Sequence, residues 1–372
     1  MPRAVYDSLR DYADTWATRG VRAWGEGWWE MNVATGNRIA PMIGAPPDSV
    51  SMHQNVSLAM GVLLSGIDFG DAASSRNKIV IEAGIFPSVY YVLRGMVPPH
   101  IAFQMIESED GGITVPVEQI IDAIDERTLL VPISHVLFRS AYILDVKAII
   151  EKAHDVGAMV IVDGYHAAGI VPFDVCDLNA DFYLAGVLKW MCGGPGGVFL
   201  YARDDHLKQF EPGLTGWMAH QRPFAFAVDD IEWRDDAFRF LNGTPAIPNL
   251  YAIQPGIDII AEVGVDSIRE KSMRQTALLL ELAEAAGFTI NSPRQPHERG
   301  GTVTIDLPHA YEVSRELLAR EIVIDYRAQA GIRISPHFYN SDDEVRDVIA
   351  TMQAILESGD WQRHAGQRSF VT

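Results

Sequence analysis

A chain of 372 residues, 48% hydrophobic and 21% charged, has the composition of an ordinary globular protein long enough for one large domain and a smaller one. Its formal net charge of −19 and sequence pI of about 4.9 argue against nucleic acid or an anionic membrane as partner. No apolar run approaches the ~20 residues that span a bilayer, Cys176 and Cys192 form no CxxC pair, and the acidic, amphipathic start MPRAVYDSLRDYADTW is unlike a signal peptide, so a cytoplasmic enzyme-sized protein is expected.

In chain order, a first helix is predicted around Val5, Leu9, Tyr12 and Trp16. An aromatic-rich segment with Trp24, Trp28 and Trp29 follows, read as core or subunit-contact residues. Helical spacing resumes after Pro46-Pro47 through SVSMHQNVSLAMGVLLSGI, which opens on His53, Gln54 and Asn55. A helix start of this kind suits either a phosphate or plain capping. KIVIEAGIFP reads as a strand broken at Pro87. Helix SVYYVLRGM, strand HIAFQMI, a turn at Glu109–Gly112, helix VPVEQIIDAID and the apolar run LLVPISHVLF come next. Asp145 caps a helix that ends at Gly157, and strand AMVIVD follows at once. This alternation predicts the α/β class, a mostly parallel sheet with helices on both faces. Ligands of such sheets bind at strand carboxyl ends, where Ser134, Asp163 and the 186–197 turn fall. Beyond Tyr201 come an irregular stretch (204–248), a long helix pair to about Ala286, and short strands FTINS, GTVTIDL, IVIDYRA and GIRISP. A helix follows Tyr311, and a capping box at Ser341 opens the last one. A smaller α+β domain thus closes the chain. We expect residues 45–250 to form the large domain, and 1–44 to join 251–372 in the small one.

Two polar residues interrupt apolar runs. Lys189 lies in LAGVLKWMCGG. Burial there lowers a lysine's pKa and frees the amine to form a Schiff base with an aldehyde. Asp163 ends an otherwise apolar strand, and its carboxylate needs a cationic or hydrogen-bonding partner. A pyridinium nitrogen is one solution, a helix N-cap before YHAAG another. His166 reads as a cofactor contact or a satisfied core histidine, and Phe86 as a stacking ring or core. Arg333, in GIRISP, suits a bidentate grip on a carboxylate or a structural ion pair. Gly193–Gly197 is a glycine-rich turn. No HExxH, GxSxG or Walker sequence supports metal, serine-hydrolase or phosphoryl-transfer chemistry.

Taken together, these residues resemble the class V aminotransferase superfamily and, within it, kynureninases, over nearly the whole chain. VDGYHAAG and LKWMCGGPGGVFLY are similar to the family's aspartate–histidine and lysine segments. The resemblance implies a fold-type I enzyme dependent on pyridoxal 5′-phosphate (PLP), with a seven-stranded sheet. Asp163 would meet the pyridine nitrogen, His166 would lie close to the cofactor, and Lys189 would carry it. GIFPSVYY would place Phe86 on the ring, HQNVSL would bring Gln54 and Asn55 to the cofactor, and PISHVLFRSAY would put Ser134 near it. GLTGWMAH implies Trp217 at the phosphate and FRFLNGTPAI implicates Asn242 or Thr244, with Trp217 and Thr244 serving the neighbouring subunit of a homodimer. GIRISPHFYNSDDEV implies Arg333 on the substrate α-carboxylate.

Three departures stand out. Kynureninases carry a tyrosine before the lysine, where this chain has Leu188, and an aspartate after Phe-Pro-Ser, where it has Val89. Their usual opening segment has no counterpart before MPRAV. The implied activity is therefore PLP chemistry on an amino acid, kynureninase-like, with three alternatives. They are a class V aminotransferase, a β-elimination or C–S lyase, and a PLP-binding protein of degenerate activity. Cysteine desulfuration is disfavoured, because no cysteine follows Cys192.

Overall fold

The computed structural model describes residues 2–228 and 230–366. Its large sheet contains β1 (Val50–His53), β2 (Lys78–Glu82), β3 (Ala102–Ile106), β4 (Thr128–Ser134), β5 (Met159–Asp163), β6 (Phe182–Gly186) and β7 (Val198–Ala202). Their order is β1-β7-β6-β5-β4-β2-β3. The pairs from β6 through β5, β4 and β2 to β3 are parallel, whereas β7 is antiparallel to both β6 and β1. Helices α1 (Val5–Arg19), α2 (Met31–Ile39), α3 (Val56–Leu64), α4 (Pro87–Met96), α5 (Val117–Ala123), α6 (Val146–Asp155) and α7 (Asp204–Gln209) precede the pair α8 (Ile247–Val263) and α9 (Val265–Ala285). A second, antiparallel sheet of β8 (Thr289–Ile290), β9 (Val303–Asp306), β10 (Asp325–Arg327) and β11 (Gly331–Ile334) has order β10-β11-β9-β8 and packs with α10 (Ala310–Ala319) and α11 (Asp342–Ser358). This is the predicted fold-type I arrangement. No helix among the described residues is long and apolar enough to cross a membrane.

The central strands read as unbroken apolar runs because both faces of the sheet are covered. Val160 and Val162 of β5 join one core with α5, α6 and α8, while Ile161 joins the other with α3 and α4. The first core also takes in Ala23, Trp28 and Ile39, so the N-terminal segment packs on the large sheet and α8. A third core fills the small domain.

One expectation needs correcting. The stretch from Ser49 is not helical at its start: Val50–His53 is strand β1, paired with β7, and the helix begins only at Val56. Four residues, all buried, are too few for a strand to show alternation. Strands IVIDYRA and FTINS are shorter than read, Asp325–Arg327 and Thr289–Ile290, while two helix-start signals act where expected. Asp145 accepts a hydrogen bond from the Ala148 N–H at the start of α6, and Ser341 and Glu344 form the capping box of α11.

Candidate active site

The carboxyl ends of the parallel strands meet the β6–β7 connection. That connection, 187–197, turns back through Gly194 (φ 73°) and Gly196 (φ 93°), conformations that a side chain would strain, and it sets Lys189 over the strand ends. Lys189 Nζ meets His166 Nε2. It also lies 5.8 Å from the Phe86 ring centroid and 5.0 Å from that of Tyr165. Burial first, then the nearby Arg333 guanidinium, lowers the Lys189 pKa to about 7, although Asp163 opposes the shift. The same burial and the Lys189 charge hold His166 neutral, its pKa well below the usual imidazole range.

Asp163, the last residue of β5, pairs in register with Ser134, the last of β4. One of its oxygens accepts the Tyr165 N–H at 2.9 Å, and the other has no partner among the described residues. Asp163 therefore closes a turn rather than capping a helix, and still presents an unused carboxylate oxygen. Burial raises its pKa to about 6 against the pull of the Tyr165 N–H and Lys189. The Ser134 N–H donates to Glu82 Oε1 at 3.3 Å. Glu82 ends β2, is wholly buried, and leaves Oε2 without a partner. Burial raises its pKa to about 7, with Asp163 adding repulsion.

Arg333 and Lys189 line one cleft of about 250 Å³ with His166, Trp190, Asp325 and Tyr339. The ion pair weighed for Arg333 is present. Its Nε donates to Asp325 Oδ1 at 2.6 Å, Nη2 to Asp325 Oδ2, and Nη1 to the Phe138 carbonyl. One N–H on each Nη atom remains for a ligand. His337, in the same cleft, spends both ring nitrogens on the backbone. Nε2 donates to the Trp190 carbonyl at 3.1 Å, and Nδ1 accepts the Phe338 N–H at 3.0 Å.

The other expected residues lie apart from this cleft within one chain. Gln54, Asn242 and Thr244 line a second, smaller cleft with His53 and Gly196. Asn55 caps α3, accepting the Leu58 N–H at 2.9 Å. Trp217, 43% exposed, stands edge-on to Trp29 and beside Phe224 and Phe226. Leu188 is 44% exposed and brings no titratable group next to the lysine. Sequence reasoning passed over Glu82, Tyr165 and Asp325. The signal for Glu82 was the one used for Asp163, an acid ending an apolar strand. Asp325 is found only through its register opposite Arg333.

These residues fit PLP. A deprotonatable lysine can hold its aldehyde, the unpaired oxygen of the Asp163 carboxylate can meet its ring nitrogen, and the lysine amine lies over two aromatic rings. The comparisons agree. A model of the family described as Aminotransferase class-V matches residues 2–348. A kynureninase of Burkholderia mallei is 31% identical over 356 residues, 93% of this chain and 84% of that one. A solved cysteine desulfurase from Thermococcus onnurineus superposes with a TM-score of 0.82 at 21% identity, covering 96% of this chain and 92% of that one. A mutant of the cystine C–S lyase C-DES, with glycine covalently linked to its PLP cofactor, gives 0.84 at 18% identity, covering 95% and 93%. The two structures share the fold, while the family match and the kynureninase fix the kinship: this chain belongs to the class-V aminotransferase family of PLP-dependent enzymes, among its kynureninase-like members.

Proposed function

We propose that this enzyme hydrolyses the Cβ–Cγ bond of a kynurenine-type amino acid, releasing alanine and anthranilate. The observation that carries the reading is a depressed lysine and an arginine lining one cleft, with Asp163 at the adjoining strand end. When bound, PLP supplies an electron sink for a carbanion at the substrate Cα. Arg333 takes the α-carboxylate on its free Nη N–H groups, while Asp325 and the Phe138 carbonyl fix the guanidinium plane. Lys189, about half deprotonated near pH 7, removes the Cα proton. Asp163 supplies the negative charge that keeps a ring nitrogen protonated, its orientation set by the Tyr165 N–H. His166 holds the lysine amine in place. Phe86 offers a stacking face, and the uncapped N–H groups at the start of α3, beside Gln54 and Asn55, suit the phosphate. Overall, water divides across the broken bond, hydroxyl to Cγ and hydrogen to Cβ.

A second reading rests on Leu188, which provides no phenol beside the lysine. In it, the same site serves transamination or β-elimination on another small amino acid, or binds PLP without efficient turnover. The test is anthranilate fluorescence when the PLP-loaded protein meets kynurenine or 3-hydroxykynurenine. Loaded protein that produces none overturns the hydrolase assignment, and a panel of amino acids with and without keto acids then separates transamination from lyase chemistry.

We also infer a homodimer in which Trp217 and Thr244 complete the neighbour's cofactor site, with Asn242 as the alternative to Thr244 at the phosphate. The exposed aromatic cluster around Trp217 supports it. A cytoplasmic setting is supported by two free cysteines, one exposed. We retain 45–250 as the large domain and 1–44 with 251–372 as the small one, with Ala23, Trp28 and Ile39 packing at the seam between them.

A further inference from the structure

Tyr165 has three connections to the site, and its side chain has no role in it so far. Its ring centroid lies 5.0 Å from Lys189 Nζ, nearer than the 5.8 Å of Phe86, so the amine lies over both aromatic rings. Its backbone N–H holds Asp163 Oδ1 at 2.9 Å. Its ring also rests on the last residue of β6. A Cβ built on Gly186 would fall 2.0 Å from Tyr165 Cζ and 2.3 Å from the phenolic oxygen, so only glycine leaves the ring where it is. Burial first, then the Asp163 charge, raises the phenol's pKa, so the ring is uncharged at neutral pH and adds no second anion beside Asp163. The imidazole of His337 is committed to the backbone and the face of Phe138 meets Phe86 edge-on, which leaves Tyr165 as the second flat surface over the lysine amine.

We propose that Tyr165, seated on Gly186, is the second wall of the cofactor slot, clamping with Phe86 the planar ring that Lys189 carries and orienting through its own N–H the carboxylate that faces the ring nitrogen. The proposal rests on the PLP reading of the site and adds to it a residue and the glycine that admits it. The two effects are separable. The N–H contact survives any side chain at 165, whereas the wall needs a ring there and no side chain at 186.

The test uses the full chain stripped of cofactor and titrated with PLP, following the absorbance band near ~420 nm and the quenching of tryptophan fluorescence. Tyr165→Ala weakens PLP binding about tenfold and shifts the band, whereas Tyr165→Phe stays within about threefold of wild type, because the ring and not the hydroxyl makes the wall. Gly186→Ala pushes the ring aside and costs about as much as Tyr165→Ala. The double variant Gly186→Ala/Tyr165→Ala is no weaker than Tyr165→Ala alone, since the two changes remove one contact. The proposal is overturned if Tyr165→Ala binds within twofold of wild type, if Tyr165→Phe is as weak as Tyr165→Ala, or if the Gly186 and Tyr165 effects add. Should Tyr165→Ala not fold, Tyr165→Leu and Gly186→Ala carry the same comparison. A wild-type chain that never develops the band overturns the cofactor reading as well, whereas one that loads equally with and without the tyrosine overturns only the wall.

Discussion

Lys189 must be neutral to attack an aldehyde, and burial beside Arg333 brings its pKa down to about 7. The neutral fraction then grows as pH rises through about 7 and saturates above it, whereas an ordinary lysine would keep gaining to beyond pH 10. We expect the rate at which stripped protein captures PLP, read by stopped-flow absorbance, to rise between pH 6 and 8 and level off. A rate still climbing at pH 10 would contradict the buried setting. Glu82 makes a prediction of opposite sign. Its folded pKa, about 7, lies above the ordinary 4.5, so its contribution to stability is whole below pH 4.5 and is lost as pH rises through 7. Glu82→Gln removes that titration. Between pH 5 and 8 the stripped wild type should therefore lose stability relative to Glu82→Gln by on the order of 2 kcal/mol, a few degrees in Tm by calorimetry. Parallel curves for the two proteins would mean that Glu82 is not the titrating acid. At this scale the sequence exposes Asp163 and Lys189, because a charge inside an apolar run demands a partner. Tyr165 and Asp325 stay hidden, since their roles depend on what a turn and a strand register bring opposite them.

The elements explain which parts were legible. Strand β5 and the 187–197 turn were readable because each carries its own signal, a buried apolar run and a block of glycines. Strand β1 was not, because its four buried residues take their conformation from β7 and not from local pattern. That short edge strand matters, since it delivers the chain to the start of α3. Asn55 caps this helix and leaves the N–H groups of Val56 and Ser57 without an acceptor among the described residues, which is where an anion gains from the helix dipole. Asn55→Ala and Ser341→Ala each delete one N-cap, and each should cost about 1 kcal/mol in denaturant unfolding. Only Asn55→Ala should also weaken PLP binding, by several-fold, if α3 receives the phosphate. Equal PLP affinity in the two variants would move the phosphate elsewhere.

For the whole molecule, the fold leaves the chemistry open. A cysteine desulfurase and a C–S lyase share this architecture at about one-fifth identity, so the reaction is decided by side chains around Lys189 and, in the proposed dimer, by what the neighbour would add. Thr244 and Trp217 lie outside the Lys189 cleft of their own chain, and in the proposed dimer the neighbour would supply them. Two forces compete in that association. Trp217, Phe224 and Phe226 offer a contiguous exposed aromatic surface that gains from burial, while a net charge of −19 on each chain opposes approach. The repulsion is long-range and screened over ~10 Å at 0.1 M salt, whereas aromatic burial is indifferent to such salt. Dimerisation should therefore tighten as NaCl rises from 10 to about 300 mM, the reverse of an interface built on opposite charges. Sedimentation velocity at several concentrations reads this directly. Phe224→Ser/Phe226→Ser should shift the protein toward monomer at every salt concentration and, because the neighbour's residues then no longer reach the cofactor, lower PLP affinity in the same samples. A dimer that loosens with salt, or a monomer that binds PLP as tightly as the dimer, would remove the neighbour from the site.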